Sequence, residues 1–444
     1  MDNNLKKIIK LKNGIQVMII PMNTILTNVS INMLLGSNHE KYNEIELTHY
    51  MEHLMARFTS EKHNDYKEIS RELNKRGAIT NAYVTEYDTC FYIKGFYKDA
   101  EYYIDILANM INNFYLEKSI MDQEKRAVVQ ELRKYTADPE YIFDFKIMKY
   151  MYGKYAYQND IDKHIKKVKT YNSKDVYRFI ENHVLPQNII VSVTCPLTKV
   201  NDALKLVKKH FSFQNNKTDK QIKYPLYQYN NKRLKVLYIQ NKYKKKNNAS
   251  VRIVVDNSIK YLSKEHLSLL FLKEILFNFE TGIFYKKLRD EKGLIYNINI
   301  DLNIDLVNPK SSSYMIETSV EQKDTALLIQ SILDIISKIS LTDKEIQNGR
   351  TKFMVKYEDT KFNDLTSFHK HYTKYLLHKI PIVERSKIRD KIMSVTNSDI
   401  IKAFDKFKKD ILTQGLIFYF STKNQNDKIK SIVKRKIQYV SIKT

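Results

Sequence analysis

Residues 46–58 read ELTHYMEHLMARF, with Leu47, Met51, Leu54, Met55 and Phe58 recurring at the spacing of one helix face. The segment therefore predicts an amphipathic helix. His49 and His53 stand four residues apart on it, which turns both imidazoles the same way. Zinc accepts imidazole nitrogens at about 2.0–2.1 Å. Glu52, beside the second histidine, is placed to take a proton from a metal-bound water. This HxxEH order is the reverse of the HExxH zinc-binding motif, and the same helical logic serves both. So short a motif also arises by chance, and lone histidines on helices are ordinarily surface or core residues. A third ligand is needed. Downstream, QEKRAVVQELRKY carries Glu124 and Glu131, seven residues apart and so on one helix face. Taken alone they would be ordinary solvated charges.

Working outward, residues 14–35 predict two strands: GIQVMII, then a stretch in which Val29, Ile31, Met33 and Leu35 alternate with mostly polar neighbours. After the histidine helix, DYKEISRELNKR predicts a second helix that stops at Gly77. AITNAYVTEYDTCFYIKGF follows as a long strand or hairpin, rich in β-branched and aromatic residues. Helical patterns dominate from Lys98 to about Val184, with Ser173 expected as an N-cap, and IIVSV then suits a buried strand. From Phe213 to Lys232 the chain turns polar, which places a linker at 216–232.

The remainder repeats the first half in outline. RELNKRGAITNA around Gly77 is echoed by KKLRDEKGLIYNI around Gly293, with Asn81 and Asn297 each four residues past the glycine. HLSLLFLKEIL falls opposite the histidine helix, so that His266 matches His49 while Leu269 and Leu270 take the places of Glu52 and His53. LPQNIIVSV is answered by LTQGLIFYF. The expectation is an α+β chain of two related domains, 1–215 and 233–444, each an antiparallel-rich sheet packed with helices. Only the first keeps the polar helix.

Composition narrows the function further. The 444 residues are 43% hydrophobic, which supports globular domains. The two cysteines, Cys90 and Cys195, lie too far apart in sequence to suggest a disulfide framework and favour a reducing compartment. No signal-peptide stretch and no run of roughly 18–20 apolar residues is visible, so a soluble protein is expected, cytoplasmic or in another reducing intracellular compartment, with no membrane association. The opening residues, with Asp2 and no arginine, do not suit a mitochondrial presequence. The net charge of +25 raises the question of nucleic acid. Most of the cations are lysines spread along the chain, KYKKK at 242–246 is short, and no helix-turn-helix, zinc-finger or RNA-binding motif accompanies them. A nucleic-acid partner is not expected.

With these motifs in order, the chain resembles the insulinase/pitrilysin family of zinc peptidases, in its short single-repeat form. The resemblance runs through Asn13-Gly14, Gly36-Ser37 with Glu40, HYMEH, Gly77 and Asn81-Ala82, then Glu131, which lies 78 residues past His53. In the second half LRDEKGLIY resembles the family's arginine and tyrosine motif, giving Arg289 and Tyr296. It departs in having few glycines and in carrying Thr48 where a small residue usually precedes the first histidine. No glycine-rich loop like that of the family's non-catalytic subunits is present.

The resemblance implies a zinc metalloendopeptidase with one Zn2+ per chain, held by His49, His53 and Glu131. Glu124 would support the ligands from outside and Glu52 would act as general base. Arg289 and Tyr296 would orient the substrate and stabilise the developing oxyanion, and the strand bearing Asn81 and Ala82 would pair with an extended peptide. It further implies a chamber of four related domains. A homodimer, or a heterodimer with a related subunit, would then close around peptide substrates, with Arg289 and Tyr296 serving the opposite chain. The alternative within the same fold is a catalytically silent scaffold or processing-complex subunit.

Overall fold

The computed structural model describes residues 6–113, 115–153, 160–213, 229, 231–242, 247–359 and 365–442. Most of the expected linker, 216–232, and most of KYKKK lie outside these residues.

Two six-stranded mixed sheets form the frame. The first contains β1 (Lys7–Lys10), β2 (Gln16–Met22), β3 (Leu26–Met33), β4 (Ile79–Val84), β5 (Thr89–Phe96) and β6 (Ile189–Pro196), in spatial order β1-β2-β6-β3-β5-β4. The second contains β7 (Lys235–Gln240), β8 (Asn248–Asn257), β9 (Ile298–Asn303), β10 (Ser312–Glu321), β11 (Leu416–Ser421) and β12 (Gln438–Ile442), in order β12-β7-β11-β8-β10-β9. Without the outermost strands β1 and β12, the two orders are the same: first strand, last, second, fourth, third. In each, the last strand pairs parallel to the first and antiparallel to the second. The repeat seen faintly in the sequence is a repeat of topology. The edges differ, since β1 runs antiparallel to β2 whereas β12 runs parallel to β7.

Five helices of the first unit bear on the site: α1 (Leu47–Met55), α2 (Tyr66–Lys75), α3 (Ala100–Asn112), α4 (Lys118–Thr136) and α6 (Ile161–Thr170); between the last two in sequence, α5 (Pro139–Tyr152) belongs to the second unit. Asp65 caps α2 by accepting the Lys67 N–H, and Gly77 follows its end at φ +64, the left-handed region that glycine enters without a Cβ penalty. The cap expected at Ser173 sits one residue earlier. The Asn172 side chain accepts the Asp175 N–H and Asp175 reciprocates, so Ser173 is already helical.

The chain folds into two compact units, and each borrows from the other's span of sequence. The first comprises Met1–Ala137, Tyr157–Pro225 and Asn363–Val383; the second comprises Asp138–Ala156, Leu226–Phe362 and Glu384–Thr444. The division thus departs from a single cut between 215 and 233. The reason lies in the strands. Val17 to Ile20 of β2 and Ile189 to Cys195 of β6 are buried without alternation, so both faces of the sheet need cover. The helix Leu365–Leu377 supplies part of it, with Tyr372 against Met18, Ile20 and Met22, and Leu377 against Leu34 and Ile190. In the second unit α5 does the same. Phe143, Ile147 and Met151 pack on Leu237, Ile239, Leu416 and Phe418, and Phe143 stacks on Phe420 with ring centroids 5.1 Å apart. Each fully buried side chain of this kind contributes about 1.5–3 kcal/mol relative to exposure.

Among the described residues no single helix is long and apolar enough to cross a membrane. Cys90 and Cys195 are both buried free thiols.

Candidate metal centre

The centre is built where α1 meets α4 in the first unit. The face of α1 bearing Leu47, Tyr50, Met51, Leu54 and Met55 is buried, and the Tyr50 hydroxyl donates to the Met121 carbonyl at 2.7 Å, which fixes the helix against α4. The opposite face carries His49, Glu52 and His53, and α4 brings Glu124 and Glu131 to meet them. Glu131 Oε2 lies 3.8 Å from His49 Nε2 and 3.6 Å from His53 Nε2. One ligand atom from each of the three residues lies within 4.8 Å of the others, and they are the one such group of histidine, cysteine and carboxylate found among the described residues.

Two side contacts bear on whether these atoms suit a metal. His49 Nδ1 lies 2.9 Å from Glu46 Oε2, and His53 Nδ1 lies 3.1 Å from Glu124 Oε2. A carboxylate is an acceptor, so each Nδ1 carries the proton and each Nε2 keeps its lone pair on the side of Glu131. Bonds of about 2.0–2.1 Å in a tetrahedron put donor atoms roughly 3.3–3.4 Å apart, within a few tenths of the two separations from Glu131. Two imidazoles and one carboxylate also form the donor set of open catalytic zinc sites. These residues fit a zinc ion.

Glu52 Oε2 approaches His53 Nε2 at 4.0 Å with the Glu52 side chain 14% exposed. Burial pushes its carboxyl above the usual carboxylate range, against the pull of His53 and His49, and the negative charges of Glu131 and Glu124 add to the rise. Glu124 is itself backed by Arg57, whose Nε lies 3.5 Å from its Oε1.

The first turn of α1 rests on residues that the sequence did not single out as functional. Glu46 precedes the helix at φ +68, and Glu40 accepts both the Glu46 N–H at 2.9 Å and the Thr48 N–H at 2.8 Å, one on each carboxylate oxygen. Burial and the charge of Glu46 push Glu40 up to about 8. Glu46 behaves oppositely. Burial raises it, but hydrogen bonds from His164 and His49 prevail and bring it down to about 2. Glu46 has no motif that marks it, and His164 is 115 residues beyond His49 on α6, so periodicity could not have paired them.

Beside the centre opens a cavity of about 470 Å³. Glu52, His53, Arg57, Asn81 and Ala82 line it together with apolar residues such as Ile69, Leu73, Phe91 and Met110. Asn81 and Ala82 lie on β4, the outermost strand of its sheet, opposite Tyr92 and Phe91 of β5. The Asn81 side chain accepts the Ala82 N–H at 2.9 Å.

Arg289 and Tyr296 belong to the second unit. Arg289 sits in the wide helical turn Lys286–Asp290, and its guanidinium lies 5.0 Å from the ring centroids of Tyr285 and Tyr296. Tyr296 is 72% exposed. His266, the counterpart of His49, is buried and its Nδ1 accepts the Leu262 N–H at 2.9 Å, while Leu269 is core.

Comparison with known proteins identifies the family. The family model described as insulinase, peptidase family M16, matches residues 22–164, and that of the peptidase M16 inactive domain matches residues 170–353. An uncharacterised zinc protease of Bacillus subtilis is 21% identical over 343 residues, covering 76% of this chain and 80% of that protein. The mitochondrial-processing peptidase subunit beta of Bos taurus is 25% identical over 202 residues, 45% of this chain but only 40% of that subunit. The structure of a protease from Helicobacter pylori superposes with a TM-score of 0.78 at 18% identity, covering 94% of this chain and 99% of that one. That of a putative M16-like peptidase from Alicyclobacillus acidocaldarius gives 0.73 at 15%, covering 94% and 97%. With an M16 domain matched before an M16 inactive domain, and the fold shared along nearly the whole chain, this protein belongs to the insulinase family of peptidases, M16.

Proposed function

We propose that the chain is a zinc-dependent endopeptidase that hydrolyses extended or unfolded peptides. The convergence of His49, His53 and Glu131, with both Nδ1 atoms held by carboxylates, carries this reading. A silent subunit would have no use for that arrangement, although relatives named as subunits of larger assemblies show that M16 chains also serve in complexes.

A zinc ion held by those three residues would supply a Lewis acid and a water acidic enough to attack near neutral pH. Glu52 accepts the proton of the attacking water and returns it to the leaving amine. The edge of β4 binds the peptide backbone as an added strand, which demands an extended substrate. Asn81 must release the Ala82 N–H for this pairing. The cavity beside Glu52 receives a substrate side chain, and its apolar lining favours a large apolar one.

The reading predicts that the zinc-loaded protein cleaves a quenched, unstructured peptide and leaves a tightly folded protein intact. A chelator should abolish cleavage and added zinc should restore it. Cleavage that survives complete zinc removal would defeat the proposal.

Arg289 and Tyr296 serve the site of a second chain, in a homodimer or with a related subunit. The exposure of Tyr296, with Arg289 against its ring, suits a group presented to a partner. Mixing Glu52→Gln chains with Tyr296→Phe chains should then restore activity to about a quarter of wild type under random pairing, because half the dimers are mixed and one of their two sites is intact. A stable mixed dimer as inactive as its parents would place Tyr296 in its own chain's service or in packing alone.

A further inference from the structure

We infer that His164 is a positioning residue for the metal ligand His49, acting through Glu46. The inference rests on the zinc reading above and assigns a role to two residues outside its ligand set and its base.

Glu46 is one of four non-glycine residues with positive φ among the described residues. A side chain at φ +68 is strained, and such strain persists only where surrounding bonds hold it. Here they do. Glu40 grips the Glu46 N–H, and the Glu46 side chain uses both oxygens, Oε2 toward His49 Nδ1 at 2.9 Å and Oε1 toward His164 Nδ1 at 2.7 Å. The side chains of Glu46 and His164 are 13% and 5% exposed, so water competes poorly for either bond.

The consequence is an order of support. The strained backbone aims the Glu46 carboxylate at His49 from outside the ligand set. Without a second partner, that carboxylate could rotate away from the ring. His164, anchored on α6, holds the other oxygen and removes this freedom. His49 then keeps its proton on Nδ1 and its Nε2 lone pair toward Glu131. The same construction stands behind the other histidine, where Glu124 bridges His53 and Arg57. Each ligand histidine is thus braced by a carboxylate that is braced in turn. On the His49 side, that brace comes from a distant helix.

Zinc affinity, read by competition with a chromophoric chelator on the full-length protein, tests this. His164→Leu should weaken binding roughly 10–100-fold. His164→Asn, whose amide nitrogen falls where Nδ1 was, should recover most of the loss. Glu46→Gly serves as a second variant, because glycine accepts φ +68 and leaves the fold unstrained while removing the carboxylate. It should weaken zinc to a similar degree. Unchanged affinity in His164→Leu and Glu46→Gly would overturn the inference, as would an equal loss in His164→Asn, which would mean that the ring only fills space. If the wild-type protein itself takes up no zinc, the zinc reading fails and this inference with it. If wild type binds and the variants bind equally well, only the positioning role is lost.

Discussion

His53→Ala should leave the purified protein with little zinc, against about one ion per chain in the wild type. The imidazole is one of the three proposed donors, and it lies 3.6 Å from the carboxylate oxygen that would share the ion. Its removal leaves His49 and Glu131 with two donors and leaves Glu124 without its histidine partner. The effect should also appear in stability. A ligand that binds only the folded state at 100 times its dissociation constant adds about 2.7 kcal/mol, so chelation should lower the melting temperature of the wild type by several degrees. In His53→Ala the same chelator should change almost nothing. Metal analysis and a melting curve with and without chelator are sufficient. Full zinc retention in the variant would remove His53 from the ligand set.

Glu52→Gln separates holding the metal from using it. Glutamine matches the size of glutamate but cannot take up the proton, so cleavage of a quenched peptide should fall by roughly a hundredfold or more. Zinc content should stay near that of the wild type, because Glu52 stands beside the three donors and outside their group. The loss should fall mainly on kcat, since a general base would act on the proton in flight more than on the bound peptide. Undiminished activity with zinc in place would exclude Glu52 as the base. Loss of zinc together with activity would mean that Glu52 helps to hold the metal.

Much of the fold was legible along the chain. The histidine helix, the β4–β5 hairpin after Gly77 and the buried β6 each follow from a local period of apolar residues, and local periods survive folding because they record which face is covered. The repeat was legible for the same reason. Two sheets of the same strand order place their glycine turns and strand starts at corresponding places, even where little identity remains. Glu131 needed more than a pattern. A carboxylate 78 residues from His53 has the appearance of any solvated helix charge, and only the resemblance picked it out before the geometry placed it.

By itself the sequence determined the polar face of α1, the loss of that face in the second half and the α+β succession of elements. These depend on residues within a turn or two of one another. The tertiary structure decided what spans long separations. It gave α5 to the second sheet and the helix Leu365–Leu377 to the first, because a strand buried on both faces specifies that it must be covered but not by what. It also set Glu46 in a strained conformation between His49 and His164. A hydrogen bond between the residue that precedes α1 and a residue of α6 depends on where two helices are placed in space, and no local spacing encodes that distance.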